Sequence, residues 1–148
     1  MENGEKRCPH PVADAIIKDT EGRVLFILRS TFPVSWACPA GHLETGERPE
    51  EAVRREVKEE TNLDISETQL VLHHFFDNPC RRGFTSHERF VFQCVPVDLG
   101  VLRIDPSAAD DARWVSKQDF AALKLSQEGV EEVWQKIIKK IPNEFWAP

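Results

Sequence analysis

Two short runs near the start of the chain, Val12–Ile17 and Val24–Leu28, are dense in β-branched and aliphatic residues. They flank Lys18-Asp19-Thr20-Glu21-Gly22-Arg23, where Gly22 is a turn signal, so a hairpin is expected. Thr31–Pro39 breaks the pattern, with prolines towards both ends and Trp36 between them, and reads as irregular. The apolar period then changes. From Pro49 to Thr61 the residues Ala52, Val53 and Val57 fall on one side of a helix. Pro49 suits the first helical turn and Glu50 and Glu51 suit its dipole, whereas Arg48 is a poor N-cap. Leu70–Phe76 and Phe90–Val97 read as strands, with an exposed loop, Asp77–Arg89, between them. Arg113–Ser116 is a short strand. Ser116 and Asp119 resemble a capping box opening a helix at 117–123, and Ser126 is expected to cap the last helix. In that helix Val130, Val133, Trp134, Ile137 and Ile138 follow the helical period, Lys139 and Lys140 suit its end, and Pro142 stops it. The order ββ-α-ββ-β-αα predicts an α/β protein, an α/β/α sandwich with helices on both faces of a mixed β-sheet.

The helix from Pro49 to Thr61 carries more than an apolar face. At about 100° per residue, Glu56, Glu59 and Glu60 share an arc of roughly 100°. Glu59 and Glu60 lie three and four residues after Glu56, the spacings of helical neighbours, where like charges repel. Lys58 points to the opposite side, and Arg54 and Arg55 have i,i+4 partners in Glu50 and Glu51. The arc therefore lacks a cation, and Mg²⁺ or Mn²⁺, which take hard oxygen ligands, are the expected ones.

Gly41, Glu47, Arg55-Glu56-Val57, Glu59-Glu60 and Leu63 also stand in a fixed register. That register resembles the Nudix box, G-x5-E-x7-R-E-U-x-E-E-x-G-U with U aliphatic, the signature of the Nudix hydrolases. Only Asn62 departs, standing where the family has Gly at a helix end; Asn is the usual second choice for a left-handed backbone. The resemblance implies the Nudix fold, residues 1–148 as one domain, and cleavage of a nucleoside diphosphate linked to a group X into a nucleoside monophosphate and phospho-X. It implies Glu56 and Glu60 as metal ligands and Glu59 as a further ligand or the base. Arg55 and Glu47 would orient the carboxylates, and the carbonyl of Ala40, just before Gly41, would be a ligand. Many family members add an acid from the loop before the last strand. Asp110 and Asp111 are the candidates here, with a solvated loop pair as the alternative and Asp105 and Glu88 as weaker ones.

Substrate contacts are less sharply marked. Phe32 and Trp36 lie upstream of the box and suit stacking on a base, although a tryptophan is more often core. Arg81, Arg82 and His87 suit phosphates or a ribose, against the plainer reading of an exposed basic loop, and Arg29 at a strand end can reach a phosphate. The chain has no Tyr, unlike some dinucleoside-polyphosphate hydrolases, and Pro79 lies where some ADP-ribose pyrophosphatases carry a proline. Nucleoside triphosphates, including modified ones, are the favoured substrates, ahead of ADP-ribose or another nucleotide-sugar. An enzyme acting on RNA 5′ ends is one alternative, and a non-catalytic nucleotide sensor is another.

The 148 residues suit one domain, with 41% hydrophobic and 30% charged residues in an ordinary globular balance. No apolar run approaches a membrane span, and polar Met1–His10 shows no signal pattern, so a cytoplasmic location is expected. The net charge of −6 argues against broad nucleic-acid binding. Nucleotide small molecules are the expected partners, with monomer and homodimer both open. Cys8, Cys38, Cys80 and Cys94 form no C-x-x-C pair, so reduced thiols rather than zinc ligands are expected. A Cys8/His10 pair meeting another ligand is the alternative.

Overall fold

A computed structural model describes residues 6–148. In chain order the elements are β1 (Val12–Ile17), β2 (Val24–Arg29), β3 (Trp36–Ala37), β4 (Ala40–His42), α1 (Pro49–Thr61), β5 (Ile65–Asp77), β6 (Ser86–Pro96), β7 (Ala109–Val115), α2 (Lys117–Lys124), α3 (Glu132–Lys140) and α4 (Pro142–Trp146). The strands form a four-stranded mixed sheet, β4-β1-β6-β5, and a three-stranded antiparallel sheet, β3-β2-β7. Within the first sheet β1 runs parallel to β6 and antiparallel to β4.

The turn between β1 and β2 forms as expected. Gly22 has φ +78°, and the Asp19 carboxylate accepts from the backbone N–H groups of Glu21 and Arg23. The strands do not remain a hairpin, however. They pair only at the Lys18–Val24 bridge and then part into different sheets. Each strand has a longer partner instead: β6 lies along β1, and β7 lies along β2.

The period-2 geometry of both strands builds two cores at once. Ala13, Ala15, Ile17 and Leu25 join one cluster with Ala52, Val53 and Val57 of α1. Ile16, Val24 and Phe26 join the other with Val133, Trp134 and Ile137 of α3 and Phe145 of α4. Burying each large apolar side chain contributes about 1.5–3 kcal/mol. The sheets consequently lie between α1 on one side and α2–α4 on the other, the α/β/α arrangement expected from the element order.

Several boundaries differ from the sequence reading. β5 and β6 are longer than expected, because their register, from Ile65↔Pro96 to Asp77↔Ser86, accommodates shifts at two places. β7 starts at Ala109 rather than Arg113, which places Asp110 and Asp111 on the strand, opposite the end of β2. Ser126 does not cap α3. Its hydroxyl donates to the Leu123 carbonyl, and α3 begins six residues later. Pro142 ends α3 and also opens α4, taking the N-terminal position where its missing N–H costs nothing. At the end of α1, Asn62 adopts φ +65°, the left-handed conformation expected where the box has glycine.

Candidate active site

Pro49 and the first-turn acids start α1 where they were expected, and the weak cap at Arg48 is offset by Glu51. That carboxylate accepts from the Arg48 backbone N–H at 2.9 Å and from its Nε at 3.2 Å. The apolar side of α1 is sealed against the sheet, so the adjacent side faces β4. Here Gly41 is required: a Cβ on this residue would overlap the Glu56 carboxyl group. Without that methyl group, Glu56 and Glu60 lie against the backbone of β4, and Glu60 Oε1 accepts the Ala40 N–H at 3.0 Å.

Arg55 organises the acids on the near side. Its Nε and Nη2 donate to the two carboxylate oxygens of Glu47 at 2.7 and 2.9 Å, a forked pair. Its Nη1 donates to Glu56 at 2.8 Å and approaches Glu59 at 3.3 Å, while Nη2 also reaches the His42 carbonyl at 3.1 Å. The expected i,i+4 pairing of Arg54 and Arg55 with Glu50 and Glu51 does not form. Arg54 instead donates to the backbone carbonyl of Ile65, and Glu51 serves Arg48. The forked bond to Arg55 holds the Glu47 carboxyl below its ordinary range, and Glu47 in turn raises Arg55 further.

Glu56 and Glu60 behave in the opposite way. Burial lifts Glu56 above the usual carboxylate range despite Arg55. Burial, and then the neighbouring Glu56 charge, push Glu60 up to about 8. Among the described residues Glu60 has no ion-pair partner. Two part-buried carboxylates side by side, one of them without a cation, suit a divalent ion, which would return both to the ionised state.

Lysine cannot reproduce the fork of Arg55. Arg55→Lys is therefore expected to lower kcat/KM by about 10–100-fold, the scale seen when ligand-orienting groups are removed. Steady-state kinetics beside urea denaturation checks this, and a loss of stability without a loss of rate would leave Arg55 a purely structural role.

The carboxylates open into a cleft of about 630 Å³ that also takes in Arg29, Phe32, Arg81, Arg82, His87 and Arg89. Arg29 lines it while donating to the carbonyls of Phe32 and Pro33, so it also holds the loop after β2. Phe32 is 52% exposed there. His87 is fully buried, with Nδ1 bonded to the Asn78 carbonyl, and its ring is not free to meet a nucleotide.

Three sequence candidates lie elsewhere. Trp36 is only 2% exposed and belongs to the core with Phe26 and Trp134, so its face is not available to a base. Asp110 and Asp111 are exposed on β7 and do not line the cleft; Asp111 accepts the Ala112 N–H and pairs loosely with Arg113. The weaker candidates are also engaged, Asp105 by Ser107 and Glu88 by His73.

The structure adds a carboxylate that sequence reasoning missed. Glu131, just before α3, lines the cleft, and burial raises its pKa. Beneath it Arg89 and Asp14 form a buried ion pair, with Nε donating at 2.9 Å. Nothing in the sequence signals Glu131, because it reads as one more charge ahead of an amphipathic helix.

Carboxylates arranged for a divalent cation, sharing a cleft with several guanidinium groups, suit polyphosphates, and the class of protein they define is a phosphorus-anhydride hydrolase. The chain matches the NUDIX domain model over residues 9–135 and belongs to that family. It is 30% identical over 105 residues to the nucleoside triphosphatase NudI of Escherichia coli O139:H28, covering 66% of this chain and 73% of that one. Its fold is similar to that of the MutT protein of Methanosarcina mazei Go1, with TM-score 0.75 and 18% identity over 95% of this chain and 96% of the other. It is also similar to a bifunctional NMN adenylyltransferase/ADP-ribose pyrophosphatase of Francisella tularensis complexed with AMP and a Mn ion. There the TM-score is 0.66 at 23% identity, over 95% of this chain and 42% of that one.

Proposed function

We propose that this chain is a Mg²⁺- or Mn²⁺-dependent pyrophosphohydrolase of nucleotides. Its first substrates are nucleoside triphosphates, modified ones included, followed by ADP-ribose and nucleotide-sugars. The observation that carries this reading is the part-buried Glu56–Glu60 pair, held against Gly41 and Ala40 and lining a cleft that also holds Arg81 and Arg82. The similarity to NudI, a nucleoside triphosphatase by name, favours triphosphates.

Glu56 and Glu60, with Glu59 and the Ala40 carbonyl as further donors, would hold the cation. When bound, it neutralises phosphate charge and acidifies a water. The remaining work falls to the protein. Arg55 and Glu47 fix the carboxylates, while Arg29, Arg81 and Arg82 offset the charge of the polyphosphate. Water adds to a phosphorus, the P–O–P bond breaks, the freed phosphate leaves with the bridging oxygen, and one of the three glutamates takes the proton. Phe32 offers the ring for a base. It also borders a smaller recess of about 330 Å³, lined with Pro33, Pro79, Val130 and Val133, which suits the nucleoside end. Reduced thiols and a nucleotide substrate fit a cytoplasmic setting.

A product-resolved assay tests this. The protein, with Mg²⁺, is offered nucleoside triphosphates, ADP-ribose, nucleotide-sugars and dinucleoside polyphosphates, with Glu60→Gln as the blank. Release of monophosphate and pyrophosphate from triphosphates is the expected result. Turnover confined to ADP-ribose would move the substrate to the sugar class, and binding without turnover would make the domain a sensor.

A further inference from the structure

His42, Cys80 and His87 line the cleft and converge there with Cys8, and the proposed hydrolysis uses none of these four side chains. Cys8 comes from the segment before β1, His42 from β4, Cys80 from the β5–β6 loop and His87 from the start of β6. One ligand atom from each lies within 4.8 Å of all the others. Two further observations point to a missing ligand. Nε2 of His42 and Nε2 of His87 are both buried and lack a hydrogen-bond partner. The Nδ1 of His87 lies 3.0 Å from the Asn78 carbonyl and must therefore carry the hydrogen it donates. That tautomer leaves the Nε2 lone pair free, the arrangement that a backbone carbonyl imposes on a metal-binding imidazole.

We propose that Cys8, His42, Cys80 and His87 bind a structural zinc ion. Two thiolates and two imidazoles form the soft N/S set that zinc takes as a closed tetrahedron. Zinc–ligand bonds of about 2.0–2.3 Å put the four donor atoms roughly 3.3–3.8 Å apart. The observed cluster closes to that size by side-chain adjustments on the order of 1 Å. The two thiolates balance the dication, so the buried centre is neutral overall. Four protein ligands leave no open position for substrate or water, so the ion is structural. It is also chemically separate from the carboxylate site, whose oxygens select harder cations.

The ion would add a side-chain cross-link to three parts of the chain that already meet through the β4-β1-β6 pairing. The segment at Cys8 meets β6 through a backbone bond to Ser86 at 2.9 Å, and the loop closes through Asn78–Thr85 and Cys80–Phe84 backbone bonds of 2.9 and 3.1 Å. Arg81 and Arg82 lie between the ligands Cys80 and His87, so zinc fixes the basic wall of the cleft. His42 ties the same centre to the catalytic helix, because its carbonyl accepts from Arg55 at 3.1 Å. Cys38 and Cys94 are different: both are buried in the apolar clusters as ordinary core thiols.

The test uses the full chain from zinc-supplemented cells, dialysed and then measured by plasma mass spectrometry. About one tightly held zinc per chain is expected in the wild type and in Glu60→Gln, and near none in Cys80→Ser. Cys80 is only part-buried and sits in a loop, so this variant is the one best placed to fold. In parallel, cobalt exchanged into the wild type should show thiolate-to-cobalt charge transfer and tetrahedral visible bands. Wild type without zinc, zinc retained by Cys80→Ser, or a Cys8–Cys80 disulfide in the purified chain overturns the proposal. If Cys80→Ser does not fold, the cobalt spectrum of the wild type decides alone, and absence of the charge-transfer band overturns it.

Discussion

Replacing Glu60 with Gln is expected to cut turnover by at least about 100-fold, more than the loss from an orienting residue, while the fold is retained. The same change should flatten the pH dependence of stability in the protein stripped with chelator. Burial and the Glu56 charge push the Glu60 carboxyl up to about 8. In the unfolded chain a glutamate titrates near 4.3. Between those values the folded protein binds more protons than the unfolded one. The contribution of Glu60 to stability is therefore fully present below the ordinary carboxylate range and is lost as pH rises towards about 8. Glutamine has no proton to lose, so the slope should become shallower; Glu56, also raised, leaves some of it in place. Melting curves across this range in chelator, for wild type and variant, measure the difference. Adding Mg²⁺ should stabilise the wild type most at the alkaline end, where Glu60 ionises most readily. Near-normal turnover in Glu60→Gln would remove it from the reaction, and identical pH slopes would mean that its surroundings are wetter than the geometry shows.

The acidic helix was legible because its information is local. Pro49, the apolar trio Ala52, Val53 and Val57, and the left-handed Asn62 are all fixed by neighbours within a few residues. The Glu arc follows from the helical period alone. What escaped was set by contacts distant in sequence. The parting of β1 and β2 depends on β6 and β7, which lie some 70 to 90 residues further on in pairs such as Ala13↔Phe90 and Val24↔Val115. Asp110 and Asp111 read as loop acids because the strand pattern was visible only from Arg113; pairing with β2 extends it backwards over residues of low strand propensity. The i,i+4 partner expected for Arg55, Glu51, gives way for the same reason, while its expected role of orienting the site's carboxylates agrees with its bonds to Glu47 and Glu56. A long guanidinium follows the strongest forked acceptor within reach, which is Glu47, eight residues away and outside the helix. The convergence of Cys8, His42, Cys80 and His87 had no sequence signature, since three separate segments supply the ligands.

Trp36→Ala is expected to destabilise the protein by about 3–5 kcal/mol, the cost of removing a large buried aromatic, and to leave KM nearly unchanged where the variant is still folded. The ring is 2% exposed in the cluster that joins β2, β7 and α3. The guanidinium carbon of Arg113 sits 4.7 Å from its centroid, which adds a cation–π contact that alanine cannot make. The backbone of Trp36 is equally engaged: its N–H donates to Gly129 at 2.8 Å, and its carbonyl accepts from Glu131 at 2.9 Å. Those bonds survive truncation, so the loss comes from the cavity and the Arg113 contact. For a chain of this size the melting temperature should fall by on the order of 10 °C. Urea midpoints and nucleotide KM, measured on the same preparations, separate the two roles that an aromatic residue beside the box can play. A raised KM at unchanged stability would put the ring back in the substrate's path. The expected pattern, lost stability with an ordinary KM, leaves Phe32 as the aromatic that meets the base, because it is the one whose face the cleft exposes.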